Sequence, residues 1–401
     1  MQTDTPSPSV PRSAKLSFEN TEIAFKHESD RELKRAYWLF KAISNPALVR
    51  VGTPLTSFAM RIGLPVKPVI KATIFNHFCG GETIEKCEHT IRNLKSGKVG
   101  SILDYSVEGA ESEKNFDRTA AEIMRTIERA TQDNAVPFSV FKITGVARFA
   151  LLEKVQRKEP LSKEEKDEYQ RVIGRVDAIC QVASVAAIPL MIDAEESWIQ
   201  NTIDDLAMDM MRVYNTKKAI VYNTYQLYRH DILPLFRHHA DDAQKEGFML
   251  GAKLVRGAYM EKERKRAEER GYESPIQSHK VATDRDYNDA LRYALTHIEH
   301  VAIVAGTHNE QSCMLLAELM DEFRIPHNHP HVFFSQLLGM SDNLSFNLAS
   351  AGYNVAKYVP YGPVKAVLPY LIRRANENTS IAGQMSRELA LIVKEMKRRG
   401  I

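Results

Sequence analysis

The fold is decided by the stretch Lys253-Leu254-Val255-Arg256-Gly257-Ala258-Tyr259, which follows apolar residues 248–250 and precedes a charged run over residues 261–270. An apolar strand that ends in a basic residue, a glycine and an alanine before a helix is typical of a cofactor-binding turn. Gly257 and Ala258 let a large flat ligand approach the backbone, and Arg256 is placed to meet its phosphates. An Arg-Gly pair can also simply end an ordinary strand, so the meaning of this stretch depends on the rest of the chain.

Short apolar runs of the same design alternate with longer, charged stretches of helical periodicity from residue 68 onward. We predict eight strands near residues 69–75, 101–105, 138–144, 190–193, 219–223, 249–255, 301–306 and 332–335, with residues 353–359 as a ninth extended segment. Ser162 and Glu165 form a capping box that begins one of the intervening helices. No run is followed by Gly-x-Gly-x-x-Gly, which disfavours a Rossmann site. The alternation predicts an α/β protein, a (β/α)8 TIM-type barrel.

The chain divides into three parts by pattern. Residues 1–20 are rich in Ser, Thr and Pro and predict a disordered tail. Residues 21–67 predict a helical segment, because apolar positions recur at helical spacing over residues 30–43 and 55–64. These two amphipathic pieces could cover the bottom of the barrel or rest on a membrane surface. Residues 68–401 form the predicted barrel domain.

Composition excludes several classes of function. The 401 residues are 44% hydrophobic with a net charge of +3, enough for a large core and too mildly basic to indicate nucleic acid. The four cysteines lack disulfide or zinc spacing. No apolar run approaches the roughly 18 residues that span a bilayer. The N-terminus lacks the apolar core of a secretion signal and a convincing transit helix, so we predict a cytoplasmic protein.

Polar side chains stand where the predicted strands end, and in a barrel those ends build the active site. In chain order they are Asp104, Glu108, Lys142, Asp193, Glu195, Gln226, Lys253, Arg256, Thr307, His308 and Asn309. Each alone could be a solvated residue of the barrel rim, and Asp193 or Asn309 could cap the next helix. Alternating histidines (His327, His329, His331) and the pair His238-His239 offer no further ligands at suitable spacing, so we expect no metal site.

Tyr370, Arg373, Arg374 and Glu377 form one stripe on a predicted helix near the C-terminus. Two adjacent guanidinium groups could bind a substrate carboxylate, which Arg does better than Lys. The alternative is a surface stripe with an Arg373–Glu377 ion pair that contributes only tenths of a kcal/mol. Sequence reasoning leaves both interpretations open.

Seven stretches together resemble the proline dehydrogenase family, in the family's order and over roughly residues 69–395. They are Ile192-Asp-Ala-Glu195, Asn223-Thr-Tyr-Gln226, Lys253-Leu-Val-Arg-Gly-Ala-Tyr259, Thr307-His-Asn309, Gln336-Leu-Leu-Gly-Met340, Lys357-Tyr-Val-Pro-Tyr-Gly-Pro363 and Tyr370-Leu-Ile-Arg-Arg374 with Glu377. The sequences of these motifs are close to those of the mitochondrial-type enzyme, although the long insertion of that form is not found here. The resemblance implies a monofunctional enzyme with a distorted barrel, non-covalent FAD, and the last helix over the barrel mouth.

The resemblance also implies a role for each candidate residue. The expected cofactor contacts are Gln226 and Lys253 at the flavin ring, Arg256, Gly257 and Ala258 at the pyrophosphate, Thr307, His308 and Asn309 at the adenosine, and Glu377 from the last helix. The expected substrate contacts are Lys142, Arg373 and Arg374 at the carboxylate, and Tyr259, Leu337, Tyr358 and Tyr370 around the ring. Asp193 would support the site, and Glu108 would pair with Arg373. Many bacterial relatives have Arg at the position of Lys253, and His279 replaces a basic residue, so we assign His279 no role.

The implied reaction is the first step of proline catabolism, the oxidation of L-proline to Δ1-pyrroline-5-carboxylate by hydride transfer to flavin N5. The electrons would pass to a membrane quinone, which implies peripheral contact with the inner membrane, or a place in the mitochondrial matrix if the source is eukaryotic. The residues also allow a Schiff-base aldolase that uses Lys142 or Lys253 as the nucleophile. A barrel that retains FAD as a non-catalytic redox sensor is the other alternative.

Overall fold

The computed structural model describes residues 16–44, 67–106, 112–380 and 384–401. Eight parallel strands close into a barrel in chain order, with β8 returning to pair with β1. The strands are β1 Gly100–Tyr105, β2 Phe138–Lys142, β3 Leu190–Asp193, β4 Val221–Gln226, β5 Leu250–Val255, β6 Val301–Gly306, β7 Val332–Leu337 and β8 Val355–Tyr361. The prediction of a (β/α)8 barrel is therefore confirmed.

Helices surround the barrel and follow its strands. They are α1 Thr21–Phe25, α2 Asp30–Ile43, α3 Lys67–Ile70, α4 Asn76–Phe78, α5 Glu88–Ser96, α6 Glu113–Ala130, α7 Phe149–Gln156, α8 Lys163–Ala186, α9 Ser197–Tyr214, α10 Ile232–Glu246, α11 Met260–Arg270, α12 Lys280–Thr296, α13 Glu310–Glu322, α14 Asp342–Ser350, α15 Val364–Ser380 and α16 Gln384–Arg399. Ser162 and Glu165 make the predicted capping box at the start of α8.

The predicted strand at residues 69–75 is wrong. This run is helical: α3 passes through a π-helical turn, Lys71–Phe75, into α4. Ile70 and Phe75 pack with Phe40 of α2 in a cluster outside the barrel, and periodicity in so short an apolar run cannot separate a strand from a buried helix. The predicted ninth segment supplies the eighth strand instead, because β8 is buried along its length and lies between β7 and β1.

The barrel has a closed lower end and an open upper end. Near the start of their strands, Phe138 lies 5.4 Å from Tyr222 and 4.9 Å from Phe333 between ring centroids, and these rings fill the lower end. Strand β3 pairs with β4 only near the start of the two strands, through Leu190–Val221 and Met191–Tyr222. Beyond these pairs a side chain replaces the backbone ladder, since the Thr224 hydroxyl donates to the Ile192 carbonyl over 2.7 Å. The barrel is thus distorted at its mouth, between β3 and β4.

The first and the last described helices pack together beside the barrel. Helix α15 carries the arginine pair, but it is not the last helix, because α16 follows it and packs on α1 and α2. Arg399 donates to the carbonyl oxygens of Phe25 and Glu28 over 2.6 and 2.8 Å. The predicted amphipathic piece at residues 55–64 and nearly all of the predicted tail lie outside the described residues. No described helix is long and apolar enough to cross a membrane.

Candidate active site at the barrel mouth

A buried cluster of charged groups and one tyrosine joins four strands at the mouth. The Asp193 carboxylate, at the end of β3, accepts a hydrogen bond of 2.8 Å from Lys142 Nζ of β2 and another from Lys253 Nζ of β5. Lys253 Nζ also lies 2.7 Å from the Tyr358 hydroxyl of β8 and 4.7 Å from the centre of its ring. The Tyr358 hydroxyl in turn donates to Asp193 over 3.3 Å. Asp193 is therefore a ligand of two cations and does not cap a helix.

Burial and neighbouring charges shift the pKa values of the three charged groups in different directions. Burial alone would raise the pKa of Asp193, but Lys142 and Lys253 outweigh it and hold that pKa below its usual range. Burial opposes the charge of Lys142 as well, yet the attraction of Asp193 raises the Lys142 pKa well above its ordinary value. For Lys253 burial wins, and its pKa is lowered. The Lys142 side chain is 25% exposed and that of Lys253 only 7%, so Lys142 is the more accessible of the two cations.

Glu195 ties the ends of β2 and β4 together. Its carboxylate accepts from the Thr144 backbone N–H over 3.0 Å and from the Thr144 hydroxyl. Its own backbone carbonyl accepts from Gln226 Nε2 over 2.7 Å, which fixes that amide at the mouth. Burial raises the pKa of Glu195 to about 7. Asp104 of β1 is buried nearby, accepts from the Ser106 hydroxyl over 2.6 Å, and has a pKa raised by burial.

The guanidinium of Arg256, the residue after β5, lies beside the N-terminus of helix α13. Its guanidinium donates to Asp284 over 2.8 Å, to the Thr307 hydroxyl over 2.8 Å and to the Ser312 hydroxyl over 3.0 Å. The Asn309 side chain accepts from the Ser312 backbone N–H over 2.9 Å, so Asn309 is the N-cap of this helix, as the alternative interpretation allowed. A guanidinium, a hydroxyl and a helix N-terminus together favour an anion such as a phosphate.

The backbone turn after Arg256 can be made only without a side chain. Gly257 has φ +132°, and a Cβ there would lie 2.5 Å from the Tyr228 ring. Ala258 follows before α11 begins at Met260. The turn predicted from sequence is therefore present, and the Gly257 backbone packs closely against the Tyr228 ring.

His308 lies between the ends of β6 and β7. Its Nδ1 is 2.9 Å from the Ser341 hydroxyl, and Nε2 is 3.5 Å from the Leu337 backbone nitrogen. Burial, with the nearby charges of Lys357 and Arg374, lowers the pKa of His308 to about 3, so the ring is neutral.

The arginine stripe of α15 faces inward. Tyr370 is 7% exposed and Arg374 8%, and the Arg374 guanidinium lies 5.2 Å from the Tyr370 ring centre. Arg374 lies close enough to His308 for its charge to add to the effect of burial in lowering the His308 pKa. Burial raises the pKa of Tyr259, and Arg373 lies close enough for its charge to oppose that rise. These contacts contradict the surface-stripe interpretation. Glu108 and the side chain of Glu377 lie outside the described residues.

The structure thus brings together the predicted residues of β2, β3, β4, β5, β8 and α15, and it adds some that the sequence did not assign. Glu195 and Asp104 were noted only as strand-end residues. Thr144 and Ser341 were not singled out, because hydroxyl groups in loops carry no pattern of their own. Taken together, the fold and the cluster define a (β/α)8 barrel with a candidate active site at the carboxyl ends of its strands.

Comparisons with known proteins specify the family. A profile described as Proline dehydrogenase matches residues 87–387. Proline dehydrogenase 1, mitochondrial, of Dictyostelium discoideum is 34% identical over 96% of this chain and 75% of its own length. Carbapenem antibiotics biosynthesis protein CarD of Pectobacterium carotovorum subsp. carotovorum is 32% identical over 80% of this chain and 83% of its own length. The chain therefore belongs to the proline dehydrogenase family, and its reaction is an oxidation of proline.

The fold has a solved counterpart. The crystal structure of proline utilization A from Bdellovibrio bacteriovorus matches 92% of this chain with a TM-score of 0.71 at 18% identity. The match covers 39% of that longer protein. At this identity the likeness supports the barrel and its surrounding helices and nothing finer.

Proposed function

We propose that the protein oxidises L-proline to Δ1-pyrroline-5-carboxylate with FAD as its cofactor, and that the electrons pass on to a quinone. The observation that carries this proposal is the position of Lys142. Its ammonium group reaches the mouth from the end of β2, and Lys142 and Arg373 of α15 both lie close enough to Tyr259 for their charges to oppose the rise of its pKa. Three cations around one opening suit a small carboxylate.

Lys142, Arg373 and Arg374 are the proposed carboxylate contacts. Asp193 holds the Lys142 ammonium from below, so the lysine is oriented before a substrate arrives and keeps its charge. Tyr259, Leu337, Tyr358 and Tyr370 are the proposed walls around the five-membered ring. Tyr358 and Tyr370 are buried at the mouth, which suits the exclusion of water from the reacting carbon.

The chain must also remove a proton from the substrate amine, because only the neutral amine can give up a hydride from the adjacent carbon. Positive charges near an amine favour its deprotonated form. The proposed clamp therefore has two effects, since it binds the carboxylate and lowers the pKa of the bound amine. No single side chain is assigned as the base.

The residues at the ends of β4 to β6 have the chemistry to hold FAD. Arg256 and the N-terminus of α13 suit the pyrophosphate, with the turn at Gly257 and Ala258. Gln226 and Lys253 would face the flavin ring, and Thr307, His308, Asn309 and Glu377 the adenosine side. The bound flavin would supply the hydride acceptor. Gln226 is held by Glu195, and Lys253 by Asp193 and Tyr358, so both donors are already oriented in the protein alone.

A quinone acceptor implies contact with a membrane. The segment at residues 55–64 is the proposed contact. The basic C-terminus is a weaker one, because Arg398 and Arg399 both donate to Glu395 and Lys394 donates to the Glu19 carbonyl. Carboxylates close to these cations reduce the charge available to anionic lipids.

Two absorbance measurements test the proposal. The purified protein should show a flavin spectrum, and anaerobic L-proline should bleach it. In the double variant Arg373→Ala plus Arg374→Ala, half-bleaching should need at least about 100-fold more proline, because each lost charge-assisted hydrogen bond contributes about 1.5–3 kcal/mol. Lys265→Ala, at an exposed position of α11, is the matched control. Equal proline dependence in both variants would remove the substrate assignment.

The aldolase alternative draws on one observation, the lowered pKa of Lys253. A Schiff-base nucleophile needs such an amine, but Lys253 is engaged by Asp193 and Tyr358. Borohydride should therefore trap no substrate on the protein. A flavin that binds but never bleaches with any imino acid would instead support the redox sensor.

A further inference from the structure

Helix α16 reaches the mouth from outside the barrel through two adjacent residues. Arg387 donates to the carboxylate of Glu310, the first residue of α13, over 3.0 Å. Glu388 accepts a hydrogen bond from the Ser341 backbone N–H, in the loop between β7 and α14. The two contacts therefore lie on either side of the segment Thr307-His308-Asn309.

Ser341 passes the contact on to His308. Its hydroxyl lies 2.9 Å from His308 Nδ1, and its backbone N–H donates to the Glu388 carboxylate. Ser341 has φ +53°, a left-handed conformation that a serine adopts only when its surroundings hold it there. The loop is thus fixed with its backbone N–H turned toward α16 and its hydroxyl beside His308.

This arrangement selects one tautomer of the neutral histidine. The Leu337 backbone N–H donates to His308 Nε2 over 3.5 Å, so the proton of the neutral ring lies on Nδ1. The Ser341 hydroxyl oxygen then accepts from Nδ1–H. The position of that hydroxyl is held by a carboxylate of another helix, because Glu388 bonds the Ser341 backbone N–H.

Burying the Glu388 carboxylate costs free energy, which indicates a role beyond packing. Glu388 is only 6% exposed, and burial together with the nearby Asp342 raises its pKa to about 7. Lys357 lies within reach of the same group, but its ammonium bonds Asp342 and the Met340 carbonyl, each over 2.6 Å. A helix that merely docked on the barrel could use an apolar side chain here at lower cost.

We propose that Glu388 is a positioning residue that acts through Ser341 to hold His308 in its Nδ1–H tautomer, and that α16 thereby completes the adenosine side of the cofactor site. The first half concerns the protein alone. The second half rests on the proposed binding of FAD.

The experiment compares Glu388→Ala and Glu388→Gln with a matched control, Glu395→Ala. Glu395 is also a buried carboxylate of α16, but it holds Arg398 and Arg399. The ring nitrogen shifts of His308 are recorded by NMR in the apoprotein, with His308→Asn for assignment. FAD dissociation constants are measured by fluorescence quenching.

In wild type and in Glu395→Ala the His308 signal should report the Nδ1–H tautomer. In Glu388→Ala the tautomers should mix, and FAD should bind about tenfold more weakly, a typical effect of losing a residue that orients a ligand-binding group. Glu388→Gln keeps one acceptor and should fall between the two, which also guards against a Glu388→Ala protein that does not fold.

Three outcomes overturn the proposal. An unchanged His308 tautomer in both Glu388 variants removes the relay. Equal weakening of FAD binding in Glu388→Ala and Glu395→Ala means that Glu388 acts only through the docking of α16. A changed tautomer with unchanged FAD affinity removes the role at the cofactor. If the wild-type protein binds no FAD, the proposed cofactor fails, and the NMR result still decides the relay.

Discussion

Asp193→Asn should destabilise the protein by about 3 kcal/mol at pH 7. The substitution keeps the shape of the side chain but leaves Lys142 and Lys253 at the mouth without the carboxylate that both of them bond. Breaking a buried ion pair by removing one partner costs roughly 3–5 kcal/mol. The lower figure applies because Lys142 is partly exposed and can take up water, while Lys253 can lose its proton.

Urea unfolding of the FAD-free protein measures this change in the free energy of unfolding. The size of the change should depend on pH in a defined direction. The folded pKa of Asp193 is below its usual value of 3.8, so its contribution is present above that pH and is lost as pH falls through the folded pKa. The difference between wild type and variant should therefore shrink in acid.

Asp204→Asn is the control for this experiment. Asp204 is also buried, but it is bonded by the amides of Asn223 and Gln200 over 2.7 and 2.8 Å, and burial raises its pKa to about 6. We expect a loss below about 1 kcal/mol there. A loss as small as this for Asp193→Asn would refute the view that an ionised Asp193 neutralises two ammonium groups.

Three further predictions concern other parts of the mouth. Lys142→Met should raise the proline KM about 10–100-fold with little change in FAD affinity, because it removes one charge-assisted contact, and steady-state kinetics with a flavin titration checks both. Glu195→Gln should flatten the pH dependence of unfolding: the wild-type carboxyl has a pKa raised to about 7, so it favours the folded state in acid and costs about 1.4 kcal/mol per pH unit between its unfolded value of 4.5 and 7. Gly257→Ala should lower the unfolding free energy by about 1–3 kcal/mol and weaken FAD binding, since φ is +132° and the Tyr228 ring blocks a Cβ.

The barrel could be predicted from sequence because its strands are separated by charged helices of clear period. Their polar ends could be predicted for the same reason, since parallel strands bring those ends to one rim. The run at residues 69–75 misled, because a few apolar residues in a row fit a strand and a buried helix equally well. Asn309 shows a second limit, since a capping residue and a ligand contact have the same sequence signature.

Contacts between distant segments carried no sequence signal. Glu388 follows Ser341 by 47 positions, and nothing in helix α16 distinguishes it from Glu395 until both are placed in three dimensions. The inward direction of the arginine stripe was equally hidden, because helical spacing defines a face and does not say what covers it. The seven motifs that resemble the proline dehydrogenase family predicted the family. The side-chain contacts between distant segments are seen only in the three-dimensional structure.

The closure of the barrel has a consequence for synthesis on the ribosome. Strand β1 is completed only when β8 pairs with it, and the packing of α1 and α2 is completed only when α16 is present. A nascent chain that has emerged through β7 still exposes both edges of an open sheet. It also lacks the parts of the mouth that β8 and α15 supply. Such a chain needs protection from aggregation until β8 and α16 leave the exit tunnel, and it cannot turn over substrate before then. Truncation by premature termination, even within α16, should therefore yield a client for chaperones and proteases rather than a weakened enzyme.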